Sequence, residues 1–510
     1  MKYLYCLLLT AFIFTITCAN AQAPLQKITQ FRKTNENAII KEYLQFVAIP
    51  NVAADSVNIP LNTAFIVQMM KQRGIEASLL HGTTTGVNPA VFGELKVPGA
   101  KKTIAYYAHY DGQPVNPKQW STGLEPFTPV FITAPLEQGG VIIKYKDGDK
   151  INPDWRLSGR GSADDKAGVM TILNAYDALV KSGIKLNQNI KFFFEGEEEV
   201  GSLHLNEIFA QNKDKLAADL WVIIDGPRHV SGKKLVTFGV RGDTHLDLTV
   251  YGPKRPLHSG NYGNWAPNPA MMLVQLLAGM KDEKGNVLIK GFYDDVVPLT
   301  TEEKQAIARV PNIEETLKKE LGIAQPDGEG KPFLELLLQP TLNINGIQSA
   351  NTGKLAANVI PVIATATLDL RLVLGNDAER QVQKVKDYIT LKGYHIIDHE
   401  PTDMERSQFA KLIKVTGGND GYNAQRTPMN LPAAQDVIKA VQSTVDYPVV
   451  LLPSSGGSLP LYLFEIQLGA KVISIPVVNY DNNQHAENEN VKISFLYEGI
   501  ETIAAIMMMP

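Results

Sequence analysis

Compact apolar runs and amphipathic stretches alternate along most of the chain. Ile28–Phe46 and Leu61–Arg73 carry apolar residues at helical spacing, and a polar loop follows them. Val91–Leu95, Thr103–Ala108, Ile190–Phe194 and Leu220–Ile224 are apolar runs of strand length, and Lys166–Lys181 between them reads as a helix. Continuous apolar strands separated by helices predict an α/β fold, a mainly parallel sheet with helices on both faces. The pattern changes near Val240-Arg241-Gly242. His245–Val250 alternates polar and apolar as a half-exposed antiparallel strand does, and Asn268–Met280 reads as a helix. A polar stretch punctuated by Pro298, Pro311, Pro326 and Pro332 has the look of an insertion; Thr341–Ile347, Ala364–Val373 and a helix at Asp377–Leu391 complete a small α+β unit. From about Tyr422 the first pattern returns, with a helix at Ala433–Thr444 and an apolar run at Val472–Val478. The predicted organisation is a discontinuous main domain, 22–240 and 422–510, with a smaller domain inserted at 241–421.

The first 21 residues read differently. Lys2, an apolar run from Tyr3 to Ile16 and the small residues Ala19-Asn20-Ala21 have the form of a cleaved secretory leader, too short to span a membrane. The expectation is an exported, periplasmic protein with no membrane span after cleavage. Cys18 follows Thr17, which departs from a lipoprotein signal. Cys6 and Cys18 are the only cysteines, so a mature chain would have no disulfide, thiol nucleophile or thiolate ligand. With 510 residues, 20% of them charged, and a net charge of −4, the chain is long enough for more than one core and offers no electrostatic footprint for nucleic acid.

Candidate chemistry collects where strands end. Thr103–Ala108 runs into His109-Tyr110-Asp111, Ile190–Phe194 into Glu195-Gly196-Glu197-Glu198-Glu199, and Leu220–Ile224 into Asp225. Val472–Ile475 leads through a short loop to His485, and Asp164 stands at the start of the helix from Lys166. Ligands of an open α/β sheet bind beyond the carboxyl ends of its strands. Acids gathered there repel one another and resist ionisation, and divalent cations relieve the problem. Without cysteine the donors are imidazole nitrogen and carboxylate oxygen, which suits zinc and admits manganese or cobalt. Asp111, two residues past His109, can turn back to the other imidazole nitrogen and fix its tautomer. Among Glu197, Glu198 and Glu199, one ligand and one free carboxylate would make a working pair; spacing does not say which is which.

His109-Tyr110-Asp111-Gly112-Gln113-Pro114, Gly159-Arg160-Gly161 to Asp164-Asp165-Lys166, and Glu195 to Ser202 together resemble the carnosinase, carboxypeptidase G and aminoacylase family of co-catalytic metallopeptidases. The form around His109, with Trp120 and Pro126-Phe127-Thr128-Pro129, is similar to its dipeptidase branch. The resemblance implies two divalent metal ions, His109, Asp164 and Asp225 holding one and Asp164, Glu199 and His485 the other. It implies that Asp111 orients His109, that Glu198 is the general base and then the acid, and that the Asp164-Asp165 peptide is cis. In the inserted domain, Leu257-His258-Ser259-Gly260 resembles the family's lid histidine motif, which in a homodimer reaches the partner's site to support an oxyanion. Arg371 matches the lid arginine that takes the substrate's terminal carboxylate, and Gly456-Gly457-Ser458 the turn that helps hold it. The implied activity is a metal-dependent dipeptidase or exopeptidase acting on short peptides with a free C-terminal carboxylate.

Two features depart from the family pattern: the long stretch from about Lys281 to Pro340, and the amide-rich neighbours of His485 in Asn482–Glu489. His81, His204, His229, His245, His395 and His399 match no motif and are read as structural or surface residues. Gly159-Arg160-Gly161 opens like a dinucleotide fingerprint but has Asp164 in the third glycine's place, and no P-loop, HExxH or GxSxG occurs. The alternatives are an N-acyl-amino-acid amidohydrolase using the same centre, and a non-catalytic peptide-binding relative that would need neither Glu198 nor all the ligands.

Overall fold

The computed structural model describes residues 23–510 apart from Asp420 and Ser458. Its largest sheet has eight strands. At its centre Asn189–Glu195, Thr103–His109, Leu220–Ile223 and Val472–Ser474 lie side by side and parallel. Both faces of these strands are covered, which is why they read as continuous apolar runs. Ile104, Tyr106 and Ala108 face a core made with the helices Glu36–Val47, Ile59–Gln72, Lys166–Lys181, Pro432–Gln442 and Ile493–Met507. Ala105 and Tyr107 face a second core, with Leu205–Gln211 and Tyr462–Leu468.

The mainly parallel sheet expected has its parallel strands at the centre, and antiparallel pairings at its edges. Ala90–Leu95 runs antiparallel to Asn189–Glu195 and pairs with Ala77–Leu80, again antiparallel. The loops around Ala90–Leu95 are too short for the crossover that parallel neighbours need, so the chain must reverse. On the other side Leu235–Thr237 meets Val472–Ser474 antiparallel and pairs in parallel with Val450–Leu452.

A second sheet of five strands is ordered Thr341–Gln348, Ile363–Leu372, Gly242–Tyr251, Leu412–Gly417, His395–Ile397, antiparallel except for the last pair. Gly242–Tyr251 alternates as its sequence pattern predicts: Leu246, Leu248 and Val250 are buried against the helices Pro269–Ala278 and Ala378–Leu391. The proline-punctuated stretch belongs to both bodies. Val287, Ile289 and Phe292 join the second sheet's core, whereas Ala306 joins the main core. Glu303 pairs with Arg426 at 3.0 Å, both side chains nearly inaccessible.

Two local devices aim the chemistry. Asp165 caps the helix Lys166–Lys181 by accepting the Gly168 amide at 3.0 Å, which fixes the turn that carries Asp164. Gly168 lets that helix start against the strand ending at Ile223, since a Cβ there would lie 2.3 Å from the Ile224 carbonyl oxygen. Asp164 is thereby brought beside Asp225.

Phe464 sets how the outer helices grip the sheet, with ring centroids 5.0 Å from Trp221 and 4.8 Å from Phe209. Phe464→Ala is expected to lower stability by roughly 3–5 kcal/mol through the lost burial and the cavity left behind. Chemical denaturation measures this, and a loss below about 1 kcal/mol would show that the site collapses freely.

Candidate metal centre

His109 is the last residue of its strand and is fully buried. Its Nε2 lies 3.0 Å from Asp164 Oδ1, 3.7 Å from Glu198 Oε2 and 4.0 Å from Asp225 Oδ2. Its Nδ1 lies 3.2 Å from the Asp111 carbonyl oxygen and 3.4 Å from the Asp111 carboxylate. Asp111 is also fully buried, and its two carboxylate oxygens accept the amides of Glu198 (3.2 Å) and Glu199 (3.0 Å). One carboxylate thus ties the histidine strand to the glutamate turn. His485 reaches in from the far loop, with Nε2 3.0 Å from Asp164 Oδ2 and 3.1 Å from Glu199 Oε2. Asp164 stands between the two imidazoles, and its peptide bond to Asp165 is cis.

The three glutamates separate. Glu197 turns away, its carboxylate 2.7 Å from His204 Nδ1 and accepting the Asn88 amide at 3.2 Å. Glu199 is held toward His485 by Gln113, whose Nε2 donates at 2.8 Å. Glu198 keeps its carboxylate near His109. The amide-rich stretch also has a local reason. Asn483, His485 and Asn488 all have positive φ, a region asparagine tolerates better than most residues, and Asn482 Oδ1 accepts the Gln484 amide at 2.7 Å. The loop that presents His485 is built from residues that can fold it.

Electrostatics tests whether these residues suit a cation. Burial, then the charge of Asp164, pushes Asp225 up to about 7. Burial also raises Glu198 well above the carboxylate range, with Asp225, Glu199 and Asp164 adding to it. Burial works against ionising Asp164 too, yet the hydrogen bonds to His109 and His485 outweigh it and hold that carboxyl low. Asp164 and Glu199 in turn push His485 up to about 10. In this field Glu198 and Asp225 hold protons more firmly than they would beside a positive ion, which is the mark of a cation cradle. His109, Asp164 and Asp225 each offer a ligand atom within 4.8 Å of the others, as do Asp164, Glu199 and His485, and also His109, Glu198 and Glu199. The residues fit the group.

Asp164, Glu198, Asp225 and His485 line one cavity of about 650 Å³ together with Arg371, Gly456 and Gly457. Ser458 lies outside the described residues. Arg371 comes from the second sheet, with Nε 3.3 Å from Asp369 Oδ1 and Nη1 3.6 Å from Asp243 Oδ2. His258 is not brought to the centre: it is exposed, and its Nδ1 accepts the Gly260 amide at 3.1 Å. Sequence reasoning assigned no role to Gln113, although it stood inside a quoted motif, and none to Glu489, whose acidic side chain in an amide-rich run was the only signal.

Two sheets, one cavity between them and a carboxylate–imidazole cradle define a metal-dependent hydrolase. The model of peptidase family M20/M25/M40 matches residues 105–509, and the chain belongs to that family, whose members use divalent metal ions. It is 28% identical over 509 residues to the Cys-Gly metallodipeptidase DUG1 of Candida albicans, covering 95% of this chain and 97% of that one. It is 25% identical over 510 residues to the human Beta-Ala-His dipeptidase, covering 95% and 92%. Among solved structures, the M20 family metallo-carboxypeptidase Sso-CP2 from Sulfolobus solfataricus superposes with a TM-score of 0.74 at 28% identity, covering 92% of this chain and 98% of that one. The protein is a metallopeptidase related to the dipeptidase branch.

These relatives overturn one expectation. Enzymes of a fungus and of a human match 95% of the chain and come from organisms without a bacterial periplasm, so the assignment to an exported, periplasmic protein is withdrawn. The apolar start 1–21, with Cys18, lies outside the described residues. Among the described residues no helix is long and apolar enough to cross a membrane.

Asp111→Asn keeps the shape but turns an amide NH₂ toward a backbone N–H that the carboxylate now accepts. We expect metal affinity or turnover to fall about 10- to 100-fold with the fold intact. Metal titration with circular dichroism checks this; unchanged affinity and turnover would remove Asp111 from the centre.

Proposed function

We propose that this chain is a dipeptidase that uses two divalent ions, zinc by donor type with manganese or cobalt also admitted, and takes short peptides by their free C-terminal carboxylate. The observation that carries the reading is one cavity lined both by the acid–imidazole cradle and by Arg371 with the Gly456–Gly457 turn. His109, Asp164 and Asp225 would hold one ion, and Asp164, Glu199 and His485 the other. Bound there, the ions supply Lewis acidity for the scissile carbonyl and lower the pKa of a water.

The chain's own residues do the rest. Arg371 offers a planar pair of donors to the substrate carboxylate, and Gly456 and Gly457 line the same cavity, where their backbone N–H groups would help hold it. Glu198, raised by burial, is a base strong enough to take a proton from the attacking water and an acid able to pass it to the leaving amine. Glu199, held by Gln113, is turned toward His485 and away from that task. In this reading 22–240 with 422–510 form the catalytic domain and 241–421 the lid.

His258 fits a homodimer, in which it would reach the partner's cavity and donate to the oxyanion. The second sheet supports this with an edge strand, Thr341–Gln348, that leaves Ile344 and Ile347 exposed at 41% and 56%. The helix Pro269–Ala278 leaves Met271 and Val274 at 58% and 49%. An unpaired edge with apolar side chains is a ready surface for a second copy.

The test incubates metal-reconstituted protein with dipeptides, longer peptides and N-acyl amino acids. Dipeptides should be cleaved, Glu198→Gln should cut turnover about 10²- to 10⁴-fold with metal retained, and Arg371→Met should raise KM. Cleavage of acylated substrates alone would establish the amidohydrolase reading instead, and full activity in Glu198→Gln would remove the base. Sedimentation should give a dimer; a monomer with undiminished activity would exclude His258 from the reaction.

A further inference from the structure

Glu489 was given no part in the chemistry, yet its side chain is fully buried against the cradle. Oε1 accepts the amides of Ala163 (2.8 Å) and Asp164 (3.0 Å). Oε2 accepts the Gly161 amide (2.9 Å) and Arg160 Nη1 (2.7 Å). Four donors converge on one carboxylate, three of them backbone N–H groups of the turn that ends at Asp164, an anion nest closed by a guanidinium. Arg160 also donates through Nη2 to the Ala486 carbonyl at 2.9 Å, next to His485. The Glu489 carbonyl accepts from Gly159 N at 3.0 Å and Ser158 Oγ at 3.1 Å, where Asn490–Lys492 pairs with Arg156–Ser158. The pair therefore locks the Asp164 turn to the His485 loop.

That arrangement is asymmetric with respect to the two ion positions of the proposed function, on which the inference rests. The His109–Asp164–Asp225 position takes one of its three donors from a segment Glu489 holds. The Asp164–Glu199–His485 position takes two. His109 closes a central strand and Asp225 follows another, so both are set by the sheet, whereas His485 sits on a loop with positive φ.

We propose that Glu489, with Arg160, is a positioning residue that sets Asp164 and His485 for the ion position they share with Glu199, and that its charge is what keeps that position tight. Glu489→Gln retains the shape but replaces an acceptor by an NH₂ group that must face a backbone N–H or the guanidinium of Arg160. Arg160→Lys is the gentler second variant, keeping the charge and losing the fork.

The experiment titrates metal-free wild type, Glu489→Gln, Arg160→Lys and His485→Ala with Zn²⁺ by calorimetry, with circular dichroism to verify the fold and Co²⁺ absorption to read the coordination. Wild type should bind two ions. In Glu489→Gln one site should weaken about 10- to 100-fold, the same site that His485→Ala loses, while the other changes less than about threefold. Arg160→Lys should shift the same site less. Equal weakening of both sites, or of neither, in folded protein would overturn the proposal and leave the two-ion reading standing. Wild type binding fewer than two ions would overturn both.

Discussion

Carboxylates and imidazoles packed together out of water set the terms for this molecule. Asp111, Asp164, Glu198, Glu199 and Asp225 lie within a few ångströms of two histidines, and several have little access to solvent. In a low-dielectric pocket like charges cannot all persist, and Asp225 and Glu198 respond by holding their protons. Asp164 escapes because His109 and His485 approach opposite oxygens of its carboxylate. A protein with nothing to gain from this crowding would have dispersed it. Here the strand ends, the helix start at Lys166 and the close approach at Gly168 all maintain it.

The side chains are delivered in two ways, and the difference is physical. His109 and Asp225 stand at the ends of parallel strands whose neighbours fix them on both sides. Glu198 and Glu199 sit on a short turn, and His485 on a loop, so each needs side chains to define it. Asp111 supplies acceptors for the glutamate turn, Gln113 a donor for Glu199, and Asn482 a cap inside the His485 loop. Buried polar residues beside the centre thus do for the loops what the ladder of backbone hydrogen bonds does for the strands.

How much of this could be read from the residues follows from the same division. The central strands were legible because burial on both faces leaves a continuous apolar run, and the helix Lys166–Lys181 because its apolar spacing is regular. His109 and Asp225 were legible because each stands at or just beyond a strand end, Asp164 because it precedes a helix, and His485 because a short loop leads to it from an apolar run. The direction of the edge strands was not legible, since it depends on loop length and spatial neighbours that periodicity does not encode. Which of Glu197, Glu198 and Glu199 does what was not legible from spacing, because consecutive residues on a turn diverge according to partners such as His204 and Gln113. Glu489 was invisible for the same reason: its donors are mostly backbone amides far away in sequence, and these leave no trace in composition. The export reading failed differently. It rested on a short apolar start that says nothing of the remainder of the chain, and the relatives of that remainder do not share a periplasm.

The second sheet meets the charge problem with the signs reversed. Arg371 is the cross-strand partner of Asp243, and the next pair on the same face of the ladder is His245 with Asp369. Burial, then the charge of Arg371, pushes Arg241 down to about 10, so two guanidiniums would repel across this face without acids between them. Asp243 and Asp369 lie 3.6 and 3.3 Å from Arg371, which balances the ladder and also fixes the guanidinium's plane. His245, read from sequence as a structural or surface residue, completes that network at 3.6 Å from Asp369. A fork held by two carboxylates retains direction but gives up part of its net charge to them. At the cavity Arg371 therefore offers direction more than long-range attraction. Gly456 and Gly457 line the same cavity. The Arg371 side of the cavity thus carries balanced, directional charge, and the uncompensated charge lies with the acids on its other side.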